Sequence, residues 1–230
     1  PETLLKSDQG DVCIAANGAA FTKKFQGMLP RIIINYSNER KAIKKDMLAA
    51  MQANQNNPSS DTEREINRLE NRQMAIKILL NSLYGALGNK YFRYFDQSVA
   101  EAITTSGQLA ILTAETAMNT EMNKILKSDK DYVIAIDTDS LYVNFGPLVD
   151  KLKPKDIVKT LDTVCNDHFT KALNKAYDEL ATKTNAYTNR MIMEREVIAD
   201  RGIWTAKKRY ILNVHNSEGV QYAEPKLKIM

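Results

Sequence analysis

The chain has only two cysteines among 230 residues, Cys13 and Cys165, and neither sits in a CxxC or Cys/His spacing. That excludes a sequence-coded zinc site, and two isolated thiols suit a reducing compartment. No apolar run reaches the roughly 18 residues that a membrane helix needs. The opening residues PETLLKSDQG lack the basic start and apolar centre of a secretory leader, and position 1 is not Met. Together with the abrupt closing KLKIM, this leads us to expect both ends to be cut points in a longer protein, working in the cytoplasm with no membrane partner. There is no internal repeat and no low-complexity linker. An excess of one charge is also missing: the net charge of +4 and pI of about 8.9 allow an anionic partner without requiring one.

What is present is an ordinary globular balance, 43% hydrophobic and 26% charged residues. Residues 11–22 read as a hairpin around Asn17-Gly18. Helical spacing runs from Pro30 to about Ala53 and again from about Thr62 to Tyr84, with the polar turn NQNNPSSD between. Asp61 or Thr62 is the expected N-cap of the second helix, and Gly85 and Gly88 are expected to break it. A third helical stretch covers 97–127. The strings YVIAI and LYVNF then flank Asp137-Thr138-Asp139-Ser140 as a β-hairpin. Residues 154–183 read as one amphipathic helix opened by Pro154, and 189–229 hold at least two strands. The fold class is α+β, helices packed on antiparallel sheet.

Three motifs carry chemistry. In an extended strand, residues two apart face the same side about 7 Å from each other, so Asp137 and Asp139 can converge. Hard oxygen donors of this kind suit Mg²⁺. Four residues alone are more often an Asp-rich turn. The second motif, KILLNSLYG, spaces Lys77, Asn81 and Tyr84 along one helix face, with Arg40 and Lys44 similarly spaced on the preceding helix. That face can meet a triphosphate; equally, it can be a solvated basic face over a core of Leu79, Leu80 and Leu83. In the third, Lys207-Lys208-Arg209-Tyr210 lie in a strand-like run that suits phosphate contacts.

In that order, KxxxNSxYG, DTDS and KKRY resemble the family B DNA polymerases. The resemblance is nearest the T-even-like bacteriophage branch, where NSLYGALGN, DTDSxYV, WTxKKRY and YAEPKLKIM recur. It implies a polymerase palm, an antiparallel sheet with packed helices, and a two-helix fingers hairpin. Residues 1–28 would be a partial palm, 29–86 the fingers and 87–230 the palm with DTDS and KKRY. The exonuclease and thumb would be absent and the right-hand fold incomplete.

It further implies a template-directed DNA polymerase that adds dNTPs to a primer 3′-hydroxyl on primer–template DNA, with two Mg²⁺ ions in the complete enzyme. Asp139 and Asp137 would be catalytic and metal-ligating, with Glu196 a further acid of the palm. Arg40, Lys44, Lys77, Asn81 and Tyr84 would hold the nucleotide. Gly85, Lys207, Lys208, Arg209 and Tyr210 would face the DNA.

Two departures stand out. Ala135-Ile136 replace the Tyr-Gly that many members place before the first Asp of the acidic motif, and D-x-x-S-L-Y-P-S, source of another carboxylate, occurs nowhere in the chain. The chain by itself is therefore expected to be inactive. The alternatives are a nucleic-acid-binding piece of a split polymerase, completed by a second polypeptide, or a truncated piece.

Overall fold

The computed structural model describes residues 10–230, and Pro1-Glu2-Thr3 lie outside them. Mixed helix and antiparallel sheet are observed, as expected. The chain divides into two compact units, Phe21–Ile103 and the described residues up to Ala20 together with Thr104–Met230.

In the unit Phe21–Ile103, α1 (Met28–Asn56) and α2 (Ser60–Leu87) form an antiparallel pair. The linker is shorter than the polar string implies. Asn54 Oδ1 accepts from Ser59 N–H at 3.0 Å, and Ser59 Oγ accepts from Thr62 N–H at 3.1 Å. Ser59 is therefore the N-cap, ahead of Asp61 and Thr62, because its hydroxyl satisfies an otherwise orphan backbone donor. Gly85 does not break α2; the helix continues to Leu87 and ends at Gly88. A small core of Ile43, Met47, Leu69 and Ile76 joins the pair. Leu80 packs against it, whereas Leu79 is exposed and lies outside the core.

The other unit carries most of the sheet. Its spine is the part of α3 (Gln97–Leu126) from Thr104 onward, which buries Ala110, Ala114, Met118 and Met122 at four-residue intervals. The run expected as one helix from Pro154 is instead α4 (Gly146–Leu152), α5 (Ile157–Val164), a π-turn Cys165–Phe169 and α6 (Thr170–Lys183). Pro154 lies between helices, and Asp156 caps α5 by accepting from Lys159 N–H at 3.0 Å. Cys165, Phe169, Leu173 and Tyr177 repeat the four-residue interval and mesh with the α3 ridge in one cluster with Leu148, Tyr132 and Val133. Near the start of the chain, β1 (Val12–Ile14) is anchored to the end of α6. There Ile14 N–H donates to Thr184 O at 3.0 Å, and Asn185 Nδ2 donates to Val12 O at 2.7 Å. β1 pairs with β2 (Ala20–Thr22) as the Asn17-Gly18 turn requires, with Gly18 at φ 87°.

The hairpin β3 (Val133–Asp137) and β4 (Ser140–Val143) follows α3. The end of the chain forms a three-stranded antiparallel sheet, β5 (Val197–Ala206), β6 (Arg209–Ser217) and β7 (Val220–Ile229), in that order. Arg195, just before β5, ties this sheet to the helices. Its guanidinium donates to Asn216 Oδ1 at 2.7 Å and pairs with Asp162 of α5. A charge this buried is tolerated because it is paired and hydrogen-bonded.

Two outcomes test this packing. A Cβ on Gly202 would lie 2.7 Å from the Trp204 ring and 2.8 Å from Leu212, so Gly202→Ala should lower stability by about 1–3 kcal/mol in denaturant unfolding. Burial pushes the Cys165 thiol up to about 11, whereas Cys13 is half-buried. In native protein at neutral pH, Cys13 should therefore react with a thiol reagent and Cys165 should not until unfolding.

Candidate active site

The strand that ends in Asp137 is placed by the loop before it. Asn119 and Asn123, one turn apart on α3, grip that loop through their side-chain amides. Asn119 Nδ2 donates to Asp131 Oδ1 at 2.8 Å, its Oδ1 accepts from Tyr132 N–H at 2.8 Å, and Asn123 Oδ1 accepts from Lys130 N–H at 2.9 Å. β3 therefore leaves the helix in a fixed direction, with Val133 buried at its start.

At its end Asp137 pairs with Ser140, which leaves Thr138-Asp139 as a two-residue turn. The strand argument for convergence does not apply as expected: Asp137 is the last strand residue and Asp139 is an exposed turn residue. The backbone joins the two acids in a tight three-residue turn, in which Asp139 N–H donates to Asp137 O at 2.7 Å. Thr138 stands at φ 56°, an unusual conformation for a β-branched residue, with a strain of about 1–3 kcal/mol. Its hydroxyl donates to Asp137 Oδ1 at 3.1 Å, and Ser140 Oγ donates to Asp137 O at 3.1 Å. The turn thus orients Asp137 with its own side chains and leaves Asp139 open.

The basic motif is also a turn. Ala206 pairs with Arg209, and Lys207-Lys208 form the two-residue tip between β5 and β6, with Lys208 at φ 63°. This corrects the strand-like run: both lysines are exposed at a hairpin tip, while Tyr210 turns inward and is buried. Tyr210 meets the acidic hairpin. Its ring lies 5.3 Å from that of Tyr142, edge-on, and Tyr142 packs edge-on against Trp204 at 5.3 Å. Burial pushes the Tyr210 phenol well above its ordinary range, reinforced by a hydrogen bond with Tyr142 and by the charges of Tyr142, Glu196 and Asp137. The Tyr210 hydroxyl therefore lies within the field of two of the carboxylates singled out from sequence. Glu196 is itself held by Lys228 Nζ at 2.8 Å. A cavity of about 540 Å³ opens here, lined by Asp139, Glu196, Arg195, Trp204 and Lys228 among others.

Hard carboxylate oxygens at one strained turn fit a magnesium ion, which takes one or two carboxylates together with substrate phosphates. Among the described residues no group of three or more His, Cys, Asp or Glu could hold a metal.

The remaining predicted residues belong to the helical unit. Lys77, Asn81, Tyr84 and Gly85 are all exposed on α2. A Cβ on Gly85 would meet nothing within 4 Å, so packing does not require glycine there. Arg40 is half-buried and its Nε donates to Gln73 Oε1 at 3.2 Å; Glu39 pairs with Arg72 at 2.7 Å. That register sets Arg40 one α2 turn from Lys77. Lys44, one turn further along α1, is half-buried. Gln73 escaped sequence reasoning, although an amide on the inner face between Leu69 and Ile76 was a visible signal. Tyr142 and Trp204 were also missed, and the Glu196–Lys228 pair, 32 residues apart, had no local signal.

The model of DNA polymerase family B matches residues 2–226. The chain belongs to DNA polymerase family B. It is 33% identical to the DNA-directed DNA polymerase of Escherichia phage RB69 across 93% of this chain and 30% of that protein. It is 39% identical to the DNA-directed DNA polymerase of Enterobacteria phage T4 across 69% of this chain and 19% of that protein. These relatives are those of the T-even-like branch. Among solved structures, it is similar to the family B DNA polymerase of the hyperthermophilic archaeon Pyrobaculum calidifontis, with a TM-score of 0.47 and 22% identity over 97% of this chain and 22% of that one. The chain thus spans under a third of the phage relatives' length. No described helix is long and apolar enough to cross a membrane.

Two buried phenols, Tyr210 beside the acidic hairpin and Tyr177 in the helical core, give the chain a pH signature. Tyr210 and Tyr177 both have folded-state pKa values raised by burial, so the unfolded chain releases their protons first. Stability should be constant with respect to these groups below pH about 10 and fall as pH rises above it. Tyr210→Phe should flatten that alkaline limb in denaturation followed by circular dichroism.

Proposed function

We propose that this chain supplies part of the nucleotidyl-transfer centre of a template-directed DNA polymerase. The unit with the two charged turns acts as palm and the helical pair as fingers. The supporting observation is the acidic turn seated on Tyr210 of the KKRY motif, inside one compact unit of a family B chain.

In this reading Asp139, the open carboxylate, and Asp137, oriented by Thr138, would hold Mg²⁺. Such ions would supply a lowered pKa at the primer hydroxyl and charge neutralisation at the leaving pyrophosphate. The primer 3′-hydroxyl gives up its proton to solvent water, and its oxygen forms a bond to the α-phosphorus while the bond to pyrophosphate breaks and pyrophosphate leaves. Lys207 and Lys208 at their hairpin tip hold the primer strand, with Arg209 beside them, while Tyr210 acts from below by fixing the turn. Glu196, neutralised by Lys228, supports the palm. Lys77 and Arg40 bind the triphosphate as fixed cations, Gln73 orienting the latter. Lys44 and Asn81 assist, and Tyr84 and Gly85 meet the nascent base pair, where the bare glycine allows close approach. The carboxylate of the D-x-x-S-L-Y-P-S motif, which these residues lack, comes from elsewhere in the complete polymerase or from a second polypeptide.

Primer extension tests this. The 230-residue chain with primer–template, dNTPs and Mg²⁺ should extend nothing, and a polypeptide carrying the missing motif should restore synthesis. Extension by the chain alone overturns the need for that motif. In the restored system Asp139→Ala should abolish synthesis, and Lys77→Ala should cost about 3 kcal/mol in kcat/KM. Primer–template affinity should fall steeply with salt, as phosphate contacts demand.

A further inference from the structure

The two charged turns lie at the tips of separate hairpins that belong to different sheets. The two sheets share no strand pairing. The tips are linked through side chains: a hydrogen bond between Tyr142 and Tyr210, and aromatic contacts. Tyr142 stands on β4, two residues beyond the turn residue pair's partner Ser140 and on the same side of the strand. Its ring packs edge-on against Trp204 at 77° and against Tyr210 at 62°, each 5.3 Å away. Trp204 and Tyr210 are cross-strand partners flanking the Lys207-Lys208 tip. The Trp204 ring lies over Gly202, where a Cβ would come within 2.7 Å of it. Tyr142 thus touches both strands leading into the basic tip.

We propose that Tyr142 is a positioning residue for nucleotidyl transfer: wedged between Trp204 and Tyr210, it sets the acidic turn against the lysine turn so that the two move as one body. This rests on the polymerase reading of the two turns. Chemistry is sensitive to such registration, since misplacing a reacting group by about 1 Å can cost about a hundredfold in rate. Substrate affinity held by the other unit's cations is not.

The test uses the complete polymerase carrying these residues, with parental activity and its loss in Asp139→Ala establishing the underlying reading separately. Tyr142→Leu removes the wedge and should lower kcat about tenfold or more while leaving the KM for dNTP within about twofold. Tyr142→Phe keeps the ring and should restore kcat to within about threefold. Trp204→Phe, which shrinks the surface on which Tyr142 rests, should lower kcat severalfold and serves should the leucine variant not fold. Trp204 is the single tryptophan of this 230-residue chain, so it reports on the wedge directly. In the chain, Tyr142→Leu should shift its emission to the red and expose it to quencher, while Tyr142→Phe should not. Parental kcat in a folded Tyr142→Leu or Trp204→Phe enzyme overturns the proposal. So does a loss expressed only in KM, or an unshifted tryptophan spectrum.

Discussion

The contact that holds the acidic hairpin against the basic one is the aromatic interlock of Tyr142, Trp204 and Tyr210. Edge-to-face ring pairs are worth about 0.5–1.5 kcal/mol each beyond the area they bury. Here two such pairs join a two-stranded and a three-stranded sheet that share no backbone hydrogen bond. Gly202 belongs to the same constraint, since only a missing side chain lets the indole lie flat against its own strand.

Both turns solve one electrostatic problem in one way. Charges meant for an anionic or cationic partner cannot be buried, and exposed charges on loose loops cannot be aimed. A two-residue hairpin tip with a left-handed residue, Thr138 in one and Lys208 in the other, holds the charge in solvent while the flanking strands stay rigid. Neither residue is the glycine that such a conformation favours. The strain is offset locally, by the Thr138 hydroxyl on Asp137 and by the ladder pair Ala206–Arg209. In the helical unit, the amide of Gln73 does comparable work, holding Arg40 without neutralising it.

Much of this was legible beforehand. The helix pair, the third helix and the acidic hairpin follow from periodicity and turn chemistry, and the ordered motifs carried the family. The misreadings were local and have physical causes. Ser59 took the cap because its hydroxyl reaches Thr62 N–H from just outside the helix. Gly85 stayed helical because one glycine costs a long helix only about 1 kcal/mol. The lysines read as strand because alternation continues on both sides of a two-residue tip.

The sequence by itself determined the elements, the chemical character of each motif and membership of DNA polymerase family B. These depend on spacing along the chain, which local sterics and solvation convert directly into helices, strands and turns. Tertiary structure alone decided which motifs lie together. It packed Tyr142 of the acidic hairpin against Trp204 and Tyr210 beside the lysine tip, paired Glu196 with Lys228, and tied the last sheet to the helices through Arg195, Asp162 and Asn216. Such contacts join residues tens of positions apart, and packing of side chains, with no periodic signal, selects them.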